Sequence, residues 1–155
     1  MLLPLVYKDT DLAWIAGFMD GEGSFMIQKR NKHWKSPTPY KWYHRPCVSV
    51  SQVEIEPLEH IASIIGSGGI NLNTNKKVHE LRFHGKTLRN LLPQLVPYLF
   101  CKRTQAELVL KFLLRCKYRG KKLTKKEWDF REEIRLQICE LNMKPEWRRK
   151  LRIVS

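Results

Sequence analysis

The stretch from Leu12 to Gly23 constrains this chain more than any other: an apolar run passes directly into Asp20-Gly21-Glu22-Gly23 and then into an alternating segment. Leu12, Ile15, Ala16 and Met19 recur at helical spacing, which predicts a helix over Asp11 to Met19 with one apolar face. Thr10 or Asp11 can cap its start, and Gly21 and Gly23 are expected to end it. Two carboxylates at that end oppose the helix macrodipole, which is already negative there. They call for a compensating cation. Mg²⁺ suits them, as a hard ion held by one or two carboxylates together with phosphate oxygens and water. The plainer alternative is a buried helix closing in a glycine-rich turn with solvated acids. Ala16 and Gly17 are small enough to admit a second helix. A two-fold homodimer packed through Leu12, Ile15, Ala16, Gly17 and Met19 would bring two acidic clusters side by side.

Downstream, the periodicity switches between two and 3.6. Ser24 to Arg30 and Arg45 to Val53 alternate as strands, separated by a polar and aromatic loop with Pro37 and Pro39. Pro57 starts a second helix and Gly66 stops it. Ile70 to Thr74 and Val78 to His84 read as strands about a turn at Asn75-Lys76-Lys77. Leu88 to Leu99 reads as a helix that Pro93 must kink or break. Thr104 to Cys116 and Lys125 to Leu141 are further helices, the last packing Trp128, Ile134, Ile138 and Leu141. The expected architecture is α+β, with one antiparallel sheet covered by helices on its apolar face. A length of 155 residues suits one domain, with its core over about 9–116 and a C-terminal helical region over about 117–155.

The open face of that sheet would present Gln28, Arg30, Arg45, Ser49, Asn71, Asn73 and Arg82, side chains of the kind that read base edges. The charge agrees: 29 Lys and Arg against 15 Asp and Glu give a net charge of +14. No acid lies between Ser24 and Val53, where Lys29, Arg30, Lys32, Lys35, Lys41 and Arg45 all stand. A second acid-free run spans Arg115 to Lys126. Such a surface attracts polyanions. The 43% apolar content supports a core and argues against disorder. No apolar run approaches the roughly 18 residues of a membrane span.

Other motifs are weaker. Gly85-Lys86-Thr87 resembles the end of a phosphate-binding loop, but Glu80 stands where the first glycine is required. His33, His44, His60, His79 and His84 lack metal-ligand spacing and are expected at the surface or against DNA. Cys47, Cys101, Cys116 and Cys139 are scattered, as reduced thiols are. Trp34, Trp42 and Tyr43 suit either stacking on nucleic acid or packing at the sheet edge.

The segment Ile15-Ala16-Gly17-Phe18-Met19-Asp20-Gly21-Glu22-Gly23-Ser24 resembles the motif of the LAGLIDADG homing endonucleases, and Pro97 to Lys111 extends the likeness. One copy of the motif resembles the homodimeric branch encoded in group I introns. The resemblance implies an αββαββα fold with an antiparallel DNA-binding sheet and extra C-terminal helices. It implies a staggered double-strand cut with short 3′ overhangs in a long, pseudo-palindromic site, with Mg²⁺ (Mn²⁺ substituting). Glu22 would ligate the metal, Gly21 would offer its carbonyl, and Asp20 would support the helix end. Gln52 and Lys102 would complete the catalytic set by ordering water near the scissile phosphate. DNA contacts would come from Ser24, Gln28, Arg30, Lys32, Lys35, Lys41, Tyr43, Arg45, Ser49, Asn71, Asn73, Glu80 and Arg82. Glu56 departs from the family, where an Arg often stands; Arg103 or Lys29 would have to replace it. Glu22 stands in place of the more usual Asp. Two other readings compete: an RNA maturase acting on its own intron RNA, and a non-catalytic DNA-binding protein. The family points to an organellar location.

Overall fold

The computed structural model describes residues 4–31, 40–116 and 123–143. The sequence expectations for His33, Trp34, Pro37, Pro39, Lys32, Lys35 and most of the second basic run lie outside these residues. In order, the elements are α1 (Asp9–Glu22), β1 (Gly23–Asn31), β2 (Trp42–Gln52), α2 (Glu56–Ile65), β3 (Gly69–Asn73), β4 (Val78–Phe83), α3 (Gly85–Leu95), a 3₁₀ turn (Val96–Tyr98), α4 (Arg103–Arg115) and α5 (Lys125–Asn142). The four strands form one antiparallel sheet in the order β1-β2-β4-β3. The expected α+β architecture is therefore the observed one.

Local chemistry explains most of the boundaries. Gly66 adopts φ 72°, the left-handed turn that closes α2 after its Pro57 start. Pro93 sits inside α3 without ending it; the helix tightens into the 3₁₀ turn three residues later. α3 begins at Gly85 and ends at Leu95, not at Leu88 and Leu99, and α1 differs at both ends. α1 runs through Asp20, Gly21 and Glu22, and the N–H of Gly23 closes it on the Met19 carbonyl. Neither Thr10 nor Asp11 caps it, because both lie inside a helix that starts at Asp9 after Lys8.

One face of the sheet carries Phe25, Ile27, Val48, Val50, Leu81 and Phe83, all buried against the helices. Each such side chain contributes about 1.5–3 kcal/mol by leaving water. The long helix α5 packs on β1 and α4. Asn142 donates to the Phe25 carbonyl at 2.9 Å, so α5 is tied to the backbone of the edge strand β1. Its middle is held by Glu132, whose carboxylate meets Lys29 at 2.9 Å and His44 at 2.7 Å. His44 is fully buried, contrary to its expected place at the surface or on DNA. Strand alternation is the reason: His44 shares its face with Pro46, Val48 and Val50. Lys29 points the same way, so it cannot stand in for the basic residue missing at Glu56.

α1 brings a larger correction. Leu12, Ile15, Ala16 and Met19 are 0–3% exposed within the single chain, so they cannot form a surface for a second copy. The core takes the bulkier apolar stripe. The opposite stripe is Ala13, Gly17 and Gly21, all exposed, with Trp14 and Phe18 stacked beside it at 5.5 Å. Of the five expected interface residues, Gly17 alone is available. A Cβ at Gly17 or Gly21 would meet nothing within 4 Å, so the stripe is open.

Candidate active site and nucleic-acid interface

The site is built where α1 ends and the sheet begins. Asp20 is half-buried, and its two oxygens accept the backbone N–H groups of Phe100 at 2.8 Å and Lys102 at 2.9 Å. This strap carries the turn before α4 onto the end of α1. It places the Lys102 ammonium against the carbonyls of Gly21, at 3.3 Å, and Gly23. A cation on the last carbonyls offsets both the negative helix end and the two acids. Part of the compensating charge that the sequence demands thus comes from the chain itself. Burial pushes the Lys102 pKa down, while Asp20 and Glu22 pull it up.

Glu22 is the last helical residue and is exposed. Gln52 ends β2, two residues beyond the Val50 that pairs with Gly23, so it lies at the same end of the sheet. Its Oε1 accepts the N–H of Val53 at 2.8 Å, which orients the amide. Across β4 its partner is His79, whose Nδ1 meets the Val53 carbonyl at 2.9 Å. Glu22, Gln52, Lys102, Gly21 and Asp20 therefore gather at one end of the molecule. Glu56 opens α2, where an acid suits the positive helix end. Arg103 is exposed and paired to Glu107 at 3.1 Å.

The donor set fits a hard divalent ion. Among the described residues no three His, Cys, Asp or Glu side chains gather as a metal cage. What the site offers is an exposed carboxylate and a helix-end carbonyl, the partial shell that leaves places for phosphate and water.

From this end the open face of the sheet extends outward. Register puts Ser49 between Ser24 and Arg82, Gln28 beside Arg45, Arg30 beside Tyr43, and Asn71 beside Glu80. Asn73 follows at the β3 edge, and Lys41 precedes β2 with its ammonium 5.3 Å from the Trp42 ring. Cross-strand neighbours share a face, so these side chains form one surface. Ser49 departs from expectation: it faces this side yet is 5% exposed, being in the sheet centre between Ser24 and Arg82. Cys47 on the same face is 1% exposed, and its burial raises the thiol pKa. Sequence reasoning missed the ion pair between Glu80 and Arg82, at 2.7 Å. Their spacing of two on one strand was the available signal.

Residues 15–118 match the family described as LAGLIDADG endonuclease. The chain belongs to that family. Solved LAGLIDADG structures share its fold. The homing endonuclease I-CvuI, in complex with the I-CreI target in 2 mM Mg and with DNA not cleaved, is 26% identical with a TM-score of 0.70, over 88% of this chain and 85% of that one. The archaeal intron-encoded I-Vdi141I, complexed with DNA, is 18% identical with a TM-score of 0.71, over 88% and 86%. The homing endonuclease I-TnaI is 20% identical with a TM-score of 0.56, over 93% and 97%. Among curated proteins no sequence match was found.

Proposed function

We propose that this LAGLIDADG endonuclease cuts double-stranded DNA as a homodimer, by metal-dependent phosphodiester hydrolysis. The observation that carries the reading is the junction itself: exposed Glu22, the Gly21 carbonyl and Lys102 stand where a basic and amide sheet face begins. The sheet face would seat the duplex in register, with phosphates drawn by the net positive charge. Glu22 and the Gly21 carbonyl would hold Mg²⁺, with Mn²⁺ able to substitute. Bound there, the ion supplies charge neutralisation at the scissile phosphate and lowers the pKa of a nucleophilic water.

The chain's own residues do the rest. The Gln52 amide, both donor and acceptor, orients water beside the phosphate. Lys102 keeps an ammonium at the same place, where it stabilises the negative charge that builds as the phosphodiester opens. One chain has one such junction, and two strands must be cut. A second copy across the Ala13, Gly17 and Gly21 stripe of α1 would supply the other. The two junctions then act across the duplex to leave short 3′ overhangs in a long, pseudo-palindromic site, as the product of an intron-encoded gene would do in homing.

The experiment is selection of cleaved sites from a randomised duplex library. Cutting that needs Mg²⁺ or Mn²⁺, stops with EDTA and leaves short 3′ overhangs supports the reading. Binding to a selected site without cutting in either metal defeats it.

A further inference from the structure

Glu80 is the one acidic side chain on the open face of the sheet among the described residues. A carboxylate on a surface that receives a polyanion weakens the binding by like-charge repulsion. Its presence there needs a role, and the geometry supplies one. Glu80 Oε2 lies 2.7 Å from Arg82 Nη2, with the two side chains 19% and 40% exposed. The guanidinium is thus held on one side and open on the other. Its neighbour across β3 is Gly69, where even a Cβ would meet nothing within 4 Å. Arg30 and Arg45 on the same face have no carboxylate within ion-pair distance among the described residues.

A tethered guanidinium keeps its remaining N–H groups in a fixed fork. That fork matches the O6 and N7 acceptors of guanine in the major groove. We propose that Glu80 is a positioning residue that holds Arg82 for bidentate contact with one guanine in each half-site. Arg82 pairs with Ser49, one residue from the Val50–Gly23 pair at the α1 end. The guanine therefore lies at the inner end of the half-site. Arg45 and Gln28 reach positions about 13 Å farther out, at about 3.3 Å of strand per residue.

This inference rests on the reading of the sheet as a duplex-DNA surface, and one experiment separates the two. Sites are selected by binding from a randomised duplex library in Ca²⁺, for the wild type, Arg82→Gln, Arg82→Lys and Glu80→Gln, with folding checked by thermal unfolding. The wild type is expected to favour guanine at one symmetric inner position by about tenfold or more. Arg82→Gln loses that preference alone, and Arg82→Lys keeps only a weakened one, because the lysine retains the charge and donors without the planar fork. Glu80→Gln keeps guanine first but discriminates several-fold less, and it binds random DNA more tightly. A uniform loss of affinity in Arg82→Gln, with the salt slope reduced by about one, marks a phosphate contact and overturns the proposal. So does an unchanged profile in Glu80→Gln. A wild type that selects no duplex at all defeats the proposed function instead.

Discussion

The backbone N–H of Lys102 donates to Asp20 at 2.9 Å, and the ammonium of the same lysine reaches the carbonyl of Gly21, the next residue along α1. One residue is thus gripped at its backbone and at its side-chain tip by the end of a helix about 80 positions earlier in the chain. Asp20 consequently acts through Lys102: it sets where the cation stands.

Asp20→Asn should loosen this strap. An amide offers one acceptor oxygen, while its NH₂ opposes the second backbone N–H, so one donor loses its partner. The cost is about 1–3 kcal/mol. Denaturant unfolding should show a lower midpoint at the same slope, and an unchanged midpoint would remove Asp20 from this role.

Glu22 has no such structural duty, being exposed with its backbone already helical. Glu22→Gln is expected to lower cleavage by at least about a hundredfold, the scale of deleting one electrostatic group from an active site. Affinity for the selected DNA site should be kept or slightly raised, since a negative charge is gone. Gel-shift titration beside a cleavage time course reads both, and retained cutting would contradict the metal-ligand assignment.

The dimer prediction turns on which side of α1 is free. Gly17→Arg fits the single chain, where a Cβ meets nothing within 4 Å, and replaces a poor helix former with a good one. The variant should stay folded yet sediment as a monomer and lose double-strand cutting. Ala16→Arg, at a position that is 0% exposed, should instead unfold the chain. A Gly17→Arg dimer as tight as the wild type would move the interface elsewhere.

Acid should release α5 in two stages. Burial lowers the His44 pKa below its ordinary 6.5, even with Glu132 beside it. Arg131 and Lys29 push the same way. The unfolded chain therefore takes up that proton first, and stability falls as pH drops below 6.5. Glu132 is lowered from 4.5 to about 2, chiefly by Arg135 and then by His44 and Lys29. Its contribution is complete above 4.5 and is lost as pH falls toward about 2. Unfolding midpoints measured from about pH 7 down to about pH 3 should decline through both windows. Glu132→Gln should flatten the lower one; an unaltered acid limb would show that other carboxylates govern it.

Much of this was legible in the chain alone. The switches between periods of 3.6 and two give the element order, because each depends on residues close in sequence. Pro57 and Gly66 mark α2 because proline and glycine act on their own backbone. The same alternation assigns Gln28, Arg30, Arg45 and Arg82 to one open face. The acidic end of α1 declares its need for a cation because the macrodipole is a local property.

Tertiary structure alone decided the rest. Helical spacing puts Leu12, Ile15, Ala16 and Met19 on one face of α1, but only packing could show that the chain's own core takes this face and leaves Gly17 outward. His44 looked like any other histidine until α5 brought Glu132 against it, 88 positions away. Lys102 became part of the α1 terminus, and Ser49 sank between its neighbours, through contacts that close only when distant segments meet. Local periodicity is set by covalent geometry, whereas the partner of a charge is set by whichever element the buried core draws beside it.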